Sequence, residues 1–446
     1  MILYQIICIL IHEIRVNLQA EILALKKYLL LIPVIAASWG CSPVLQKIRT
    51  FADSAQYHAG FYLYDPATRK VLAEHQADKY FTPASNTKIL TLYAAKRVLP
   101  DPLPAFYYAR DSLAAYLWPT GYPGFLNPVL PNTPNYPLLA AADSLVLSVA
   151  GFTAPRFGPG WAWDDYNSSY SPERSAYPIY GNLATFFLDT LSHELTVAPA
   201  FLRDSITLAE GEKFTVQRQE GSNRFTVTLG ACNDCERQRP YRLTHAMLAR
   251  LYHDTLHVPV HIDTVARPAT ARLITGLPQD SVFKVMMQES DNFLAEQLLL
   301  QVAGALKDSL DTSLAIDSLQ HFLNALLPDS VIWVDGSGLS RYNMITPRSV
   351  VMLWDELLRM FGQERLMNIL SVGGVAGTIE NWYAEEQPYI YGKTGTLRHN
   401  HDLSGLLITQ SGRLLLFAYM NNHYPSGSTP VKENMEQVLH KIYEKY

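Results

Sequence analysis

Two apolar runs near the start of the chain, Phe61-Tyr62-Leu63-Tyr64 and Val71-Leu72-Ala73, flank Asp65-Pro66-Ala67-Thr68, a set of turn-forming residues. The pattern predicts a β-hairpin. The far end repeats it: residues 403–409 and 413–420 flank Gln410-Ser411-Gly412, and a further strand is predicted over 391–397. Strands supplied by both ends are best joined in one antiparallel sheet of about five, with the 391–397 strand beside a groove. Apolar spacing predicts helices over 85–98, 281–303 and 311–326, which cover the sheet. A last helix over 430–446 puts Val431, Met435, Val438, Leu439 and Ile442 on one face, a core-packing stripe. Residues 101–265 differ, being rich in Pro, Tyr and Trp with short alternating segments such as FTVQRQ and RFTVTLG, and they read as mostly β. The expected organisation is an α/β domain split in sequence into 42–100 and 266–446, with 101–265 inserted as one or two small accessory domains.

Composition adds compartment rather than fold. The chain has 446 residues, 48% hydrophobic and 17% charged, which supplies ample buried core for several domains. A net charge of −5 offers no basic field for nucleic acid. Lys26-Lys27 followed by YLLLIPVIAAS is a charged segment and an apolar segment too short to span a bilayer, so residues 1–41 read as a leader with a secretion signal. Either the first 25 or so residues come from an upstream start site, or MILYQIICILI is a hydrophobic extension. Cys41 in ASWGC resembles a lipoprotein cleavage box, with Ser38 and Trp39 where aliphatic and small residues are usual. Two outcomes stay open: an exported protein anchored through lipid on Cys41, or cleavage after Ala37 or Ser38 and a periplasmic protein without membrane contact. Cys8 leaves with the leader. Cys232 and Cys235 read as a local disulfide or two idle thiols, since a zinc site needs two more ligands and His245 and His253 stand at no recognised spacing.

The chemistry lies in three short motifs: Ser85-Asn86-Thr87-Lys88, Ser290-Asp291-Asn292 and Lys393-Thr394-Gly395. Ser-x-x-Lys alone is weak, since about one or two matches are expected by chance in a chain this long. A second match, Ser281-Val282-Phe283-Lys284, lies nine residues before Ser290 in what reads as one helix through Leu300. Nucleophile and relay cannot share adjacent turns of one helix and leave a groove between them, so Ser281 reads as an ordinary helix-start serine. Ser85 follows the chain-breaking Thr82-Pro83-Ala84 and opens an apolar helix, which puts Lys88 one turn above it. A lysine activates a serine hydroxyl only when neutral. Bringing an unperturbed lysine from ~10.4 to about 7 requires roughly 4–5 kcal/mol of environmental bias, from burial and from a second cation, for which Lys393 is the natural candidate. Gly395 leaves room for a substrate backbone beside the strand.

S-x-x-K, S-x-N and K-T-G in this order resemble the signature of penicillin-binding proteins and β-lactamases. The likeness is narrower in GFYLYDPATRKVLAEHQADKYFTPASNTK, ESDNFLAEQLL, VDGSGLSRYNMITP, VAGTIENW, GKTGTLRHNHDLSGLL and FGPGWAWDDYNSSYSPERSAYPIYGN. Together these resemble the low-molecular-mass class C penicillin-binding proteins, the D-alanyl-D-alanine carboxypeptidases and endopeptidases of peptidase family S13. The resemblance runs from about residue 55 to the end. It implies a penicillin-binding, β-lactamase-like transpeptidase domain carrying a large insertion between the nucleophile and relay motifs, which are 205 positions apart. It also implies the roles. Ser85 is the nucleophile, Lys88 its base and Ser290 the proton relay; Asn292 holds the substrate amide, and Lys393, Thr394 and Thr396 hold a substrate carboxylate. The oxyanion donors are the backbone N–H groups of Ser85 and Thr396. The implied substrates are peptidoglycan stem peptides, the implied covalent inhibitors β-lactams, and no metal or organic cofactor is called for. The gap holds no E-x-x-L-N segment of the kind that deacylates class A β-lactamases, so a β-lactam is expected to acylate Ser85 and stay. The alternatives are a β-lactamase or esterase on the same scaffold, or a non-catalytic penicillin-binding sensor.

Other polar positions carry weaker signals. Asp335, Ser337 and Ser340 either line the groove or serve turn geometry. His399 and His401 read as solvated loop residues after the Lys393 strand rather than catalytic bases, and Trp161, Trp163 and Tyr166 either stack on substrate or, as aromatic clusters in a β insertion mostly do, form core.

Overall fold

The computed structural model describes residues 43–131, 134–192 and 194–446. The expected leader, with Cys8, Cys41 and the cleavage box, lies outside them. The chain divides into residues 1–50 and 51–446. Of the first unit only the opening of a helix, Pro43–Ser54, is described.

In residues 51–446 the two chain ends meet in a six-stranded antiparallel sheet. Its strands are β1 (His58–Asp65), β2 (Lys70–His75), β3 (Ser371–Val372), β4 (Ile390–Leu397), β5 (Asn400–Ile408) and β6 (Leu414–Asn422), in the order β3-β4-β5-β6-β1-β2. The five expected strands are all present, and the two-residue β3 is added at the β4 edge. β1 joins the sheet through β6, with His58 opposite Asn422 and Tyr64 opposite Leu416. β1, β5 and β6 are buried almost end to end because helices cover both faces, which is why they read as apolar runs rather than strict alternation. On one face Tyr419 Oη donates to Asn434 of the C-terminal helix Thr429–Lys445 at 2.8 Å. On the other, Trp354 Nε1 of helix Pro347–Phe361 donates to Ser404 Oγ at 2.9 Å.

The single helix expected over 281–303 is two. α1 (Gln279–Gln288) stops at Glu289, Ser290 takes a left-handed φ of 61°, and α2 (Asn292–Lys307) restarts under an Asp291 cap whose carboxylate accepts from Leu294 N at 2.8 Å. Short polar residues are the ones that tolerate both the left-handed turn and the cap position. The break turns Ser290 and Asn292 out of a continuous helix face and into the cleft.

The inserted region is mostly β, as expected, and is built as three sheets. The largest runs from Pro104–Arg110 to Arg272–Thr275, so its last strand lies past the expected edge at 265. The chain enters and leaves through a backbone staple, Leu103 N to Leu277 O at 2.9 Å and Gly276 N to Leu103 O at 2.7 Å. A helix, His245–Leu256, interrupts the β structure under a Thr244 cap that accepts from Met247 N at 3.1 Å. Cys232 and Cys235 are joined as a disulfide. Among the described residues no three or more His, Cys, Asp or Glu are placed to hold a metal ion, and His245 and His253 take no part in one. The aromatic trio is not core. Trp163 is 77% exposed, Tyr166 lies against the Arg218 guanidinium, and Trp161 reaches the candidate site.

Candidate active site

Ser85 stands in a 3-10 turn, Ala84–Thr87, that leads into the helix Lys88–Val98. In a 3-10 turn residues i and i+3 eclipse, which stacks Lys88 over Ser85 more closely than an α-turn does. Two glycines make room for this turn. A Cβ on Gly338, whose φ is +86°, would lie 1.9 Å from Ala84 O, and one on Gly395 would lie 2.3 Å from Pro83 O. The expected reason for Gly395 was a substrate backbone; the group that crowds it is the nucleophile turn. Asn86 locks the turn to β4. With its amide oriented so that Oδ1 accepts from Gly395 N at 3.2 Å, Nδ2 donates to Lys393 O at 3.1 Å.

The fully buried Lys88 Nζ donates to Ser85 Oγ at 2.9 Å, Asn292 Oδ1 at 2.6 Å and the Ser337 carbonyl at 2.7 Å. Burial pushes its pKa down to about 8, against Asp335, Asp291 and Glu296, which favour the cation. Lys393, also fully buried, donates to Ser290 Oγ at 2.8 Å and is held well below the usual lysine range by burial and by Lys88. The site thus contains two serine–lysine pairs, and Asn292, two residues after Ser290, holds Lys88 of the first. Asn292 Nδ2 donates to the Tyr170 carbonyl at 2.9 Å, so the inserted region supplies one wall.

The pairs open on a cleft of about 950 Å³ lined by Ser85, Ser290, Asn292, Gly338, Tyr170 and Thr396 among others. Along one side runs β4. Because β3 pairs with it only at Tyr391 and Gly392, the segment from Lys393 to Leu397 has no strand on its outer edge among the described residues. Thr396 faces the cleft and is exposed, with its hydroxyl 2.8 Å from His401 Nδ1. Thr394 is 6% exposed and donates to Thr378 Oγ1 at 2.7 Å, while Thr396 presents its hydroxyl at the cleft surface.

Several expectations change here. His401 is no solvated loop residue: it is buried on β5, and burial, with Lys432 and Lys393 nearby, pushes it down to about 3 and keeps it neutral. His399 is exposed, with Nδ1 3.0 Å from Tyr424 O. Ser337 enters the site through its backbone carbonyl. Asp335, fully buried, orders the turn by accepting from Gly338 N at 2.9 Å and Ser340 N at 2.7 Å, and burial and Glu296 raise it to about 6. Ser281 sits at the start of α1 with Lys284 exposed, apart from this cluster. Sequence reasoning missed Asn86, Thr378, Glu296 and Arg174; of these only Asn86 lies inside one of the three short motifs, the others falling in the longer family-like segments with no role assigned.

A protein-family model described as the D-Ala-D-Ala carboxypeptidase 3 (S13) family matches residues 142–444. The chain is 23% identical to D-alanyl-D-alanine carboxypeptidase DacB of Haemophilus influenzae, over 84% of this chain and 87% of that one. It is 31% identical to carboxypeptidase DacB of Mycolicibacterium smegmatis over 38% of each chain. Its fold is similar to the crystal structure of penicillin binding protein 4 (dacB) from H. influenzae, with a TM-score of 0.71, 20% identity and coverage of 91% and 99% of the two chains. With a match over about two thirds of its length, the chain belongs to the D-Ala-D-Ala carboxypeptidase 3 (S13) family.

Proposed function

We propose that this serine D-Ala-D-Ala carboxypeptidase hydrolyses peptidoglycan stem peptides through an acyl-enzyme on Ser85. The observation that carries the reading is a wholly buried lysine 2.9 Å from a serine hydroxyl at the mouth of a cleft. Lys88 takes the Ser85 proton as Oγ attacks the carbonyl of the penultimate D-alanine. The backbone N–H groups of Ser85 and Thr396 receive the oxyanion, where removal of one donor typically costs about 3–4 kcal/mol. Ser290, bonded to Lys393, passes a proton to the leaving amine, and water then releases the acyl group. The bound peptide lies along the open edge of β4 as an added strand, with its amide on Asn292 and its terminal carboxylate toward Thr396 and the Lys393 charge. A β-lactam presents the same carbonyl and carboxylate and is expected to remain on Ser85.

Incubation of the purified enzyme with defined muropeptides, read by mass spectrometry, tests the assignment. Loss of one terminal alanine is expected; unchanged pentapeptide stems alongside rapid turnover of a chromogenic cephalosporin would point instead to a β-lactamase. We further propose that the protein acts outside the cytoplasm, on the strength of the Lys26-Lys27 leader pattern. The N-terminus of the protein extracted from cells should begin near Trp39 or at an acylated Cys41, and retention of Met1 refutes both.

A further inference from the structure

Glu296 lies one turn beyond Asn292 on α2 and is 1% exposed. Its Oε1 accepts from Ser337 N at 2.8 Å, and the Ser337 carbonyl in turn accepts from Lys88 Nζ at 2.7 Å. Its Oε2 is held by the inserted region: Arg174, 2% exposed, donates from Nε at 2.9 Å and from Nη2 at 2.5 Å. The Arg174 guanidinium lies 5.3 Å from the Trp161 ring centroid, and Trp161 Nε1 donates to Asp335 Oδ2 at 2.8 Å. One inserted segment therefore grips both buried acids that frame the loop at Ser337. The charged groups facing Lys88 are Asp335, Asp291 and Glu296 on the acidic side and Lys393 on the basic side. Arg174 is the cation bonded directly to one of those acids.

A buried carboxylate without its partner favours a proton on the nearest lysine, and a protonated lysine is no base. We propose that Arg174 is a positioning residue for the acylation step: by pairing with Glu296 it offsets part of that carboxylate's pull on Lys88 and fixes the Glu296–Ser337 link that aims Lys88 at Ser85. The inserted region thereby completes the base from outside the three motifs. This rests on Lys88 being the base.

The test is the second-order rate of acylation by a fluorescent penicillin between pH 6 and 10, for the full enzyme and for Arg174→Met, Arg174→Lys and Glu296→Gln. Arg174→Met should move the acid limb up by about one pH unit, so that a roughly tenfold deficit at pH 7 is recovered by pH 9 to 10. Glu296→Gln removes the anion and leaves Arg174 beside the base, so its limb should move down. Arg174→Lys keeps the charge and should hold the limb close to the native position. A uniform loss with an unmoved limb in both neutralising variants, or shifts in the same direction, overturns the proposal. If Arg174→Met does not give a cooperative melt, Glu296→Gln decides alone, and an unshifted or raised limb refutes it. Two controls separate this from the assignment of the site: labelling that survives Ser85→Ala, or an acid limb unchanged in Lys88→Ala, defeats the reading of the site itself. Intact controls with unmoved limbs defeat only the role of Arg174.

Discussion

Ser85 to Lys88 and Ser281 to Lys284 have the same spelling and opposite surroundings. The first pair is stacked in a 3-10 turn, its lysine wholly buried and bonded to the serine, to Asn292 and to a backbone carbonyl. The second occupies the first turns of an ordinary α-helix, where Lys284 faces solvent and keeps its water. Spacing brings a serine and a lysine near each other in both. Only the first lysine is buried, and burial biases it toward the neutral form that the proposed base requires, while its acceptors fix where the nitrogen sits. A motif of this kind is a statement about two side chains, and its chemistry is a property of what closes over them.

The largest expected effect breaks the comparison outright. Ser85→Ala should abolish covalent labelling by penicillin and Ser281→Ala should leave it intact, with the modified peptide identified by mass; a label on Ser281 would reverse the assignment. Next in size, Lys88→Ala should lower the acylation rate by about 10²–10⁴ for every substrate while Lys284→Ala changes nothing measurable. The sign with pH follows from the buried lysine. Acylation needs the neutral form, so the wild-type rate should rise with pH and level off above about 8, where Lys88 loses its proton. A flat profile between pH 6 and 9 would deny Lys88 the role of base.

A smaller effect separates the two lysines of the site. Lys393→Ala should cost about one to two powers of ten in kcat/KM for carboxylate-bearing peptides and penicillins, and distinctly less for a thioester lacking that carboxylate. Equal losses on both would make Lys393 part of the proton path through Ser290 and not a carboxylate partner. Smallest of all, Thr396→Val removes one neutral hydroxyl at the cleft surface. It should cost roughly 0.5–1.5 kcal/mol, at most about tenfold, and again only for carboxylate substrates.

The strands at both chain ends were readable because a covered sheet imposes apolar runs between turn residues, as in Leu414–Asn422 after Gln410-Ser411-Gly412. The three motifs were readable because their chemistry is carried by rare combinations of residue types. What escaped is long-range closure. Nothing local marks Arg174 as the partner of Glu296, 122 residues away, or the Ser337 carbonyl as an acceptor for Lys88. The interruption at Ser290 was hidden by apolar periodicity continuing on both sides, although Asp291 carried a helix-start signal. Helix Pro347–Phe361 carried one too, a Thr346 cap followed by proline at the first helical position. His401 was misjudged because polar neighbours in RHNH resemble a turn, while the turn ends at His399 and β5 has begun at Asn400.

The pairing of β1 with β6 also sets an order of events in time. β1 is complete at Asp65, and the strand it pairs with begins at Leu414, roughly 350 residues later. At about 5–20 residues per second, some 20–70 s of synthesis separate the two. Over that interval a strand of the sequence HAGFYLYD can pair with β2 on one side, while its other edge waits for β6. An apolar edge left open that long invites pairing with another chain. Until the last strand arrives, the first hairpin carries a pairing edge that its own chain fills only near the end of synthesis.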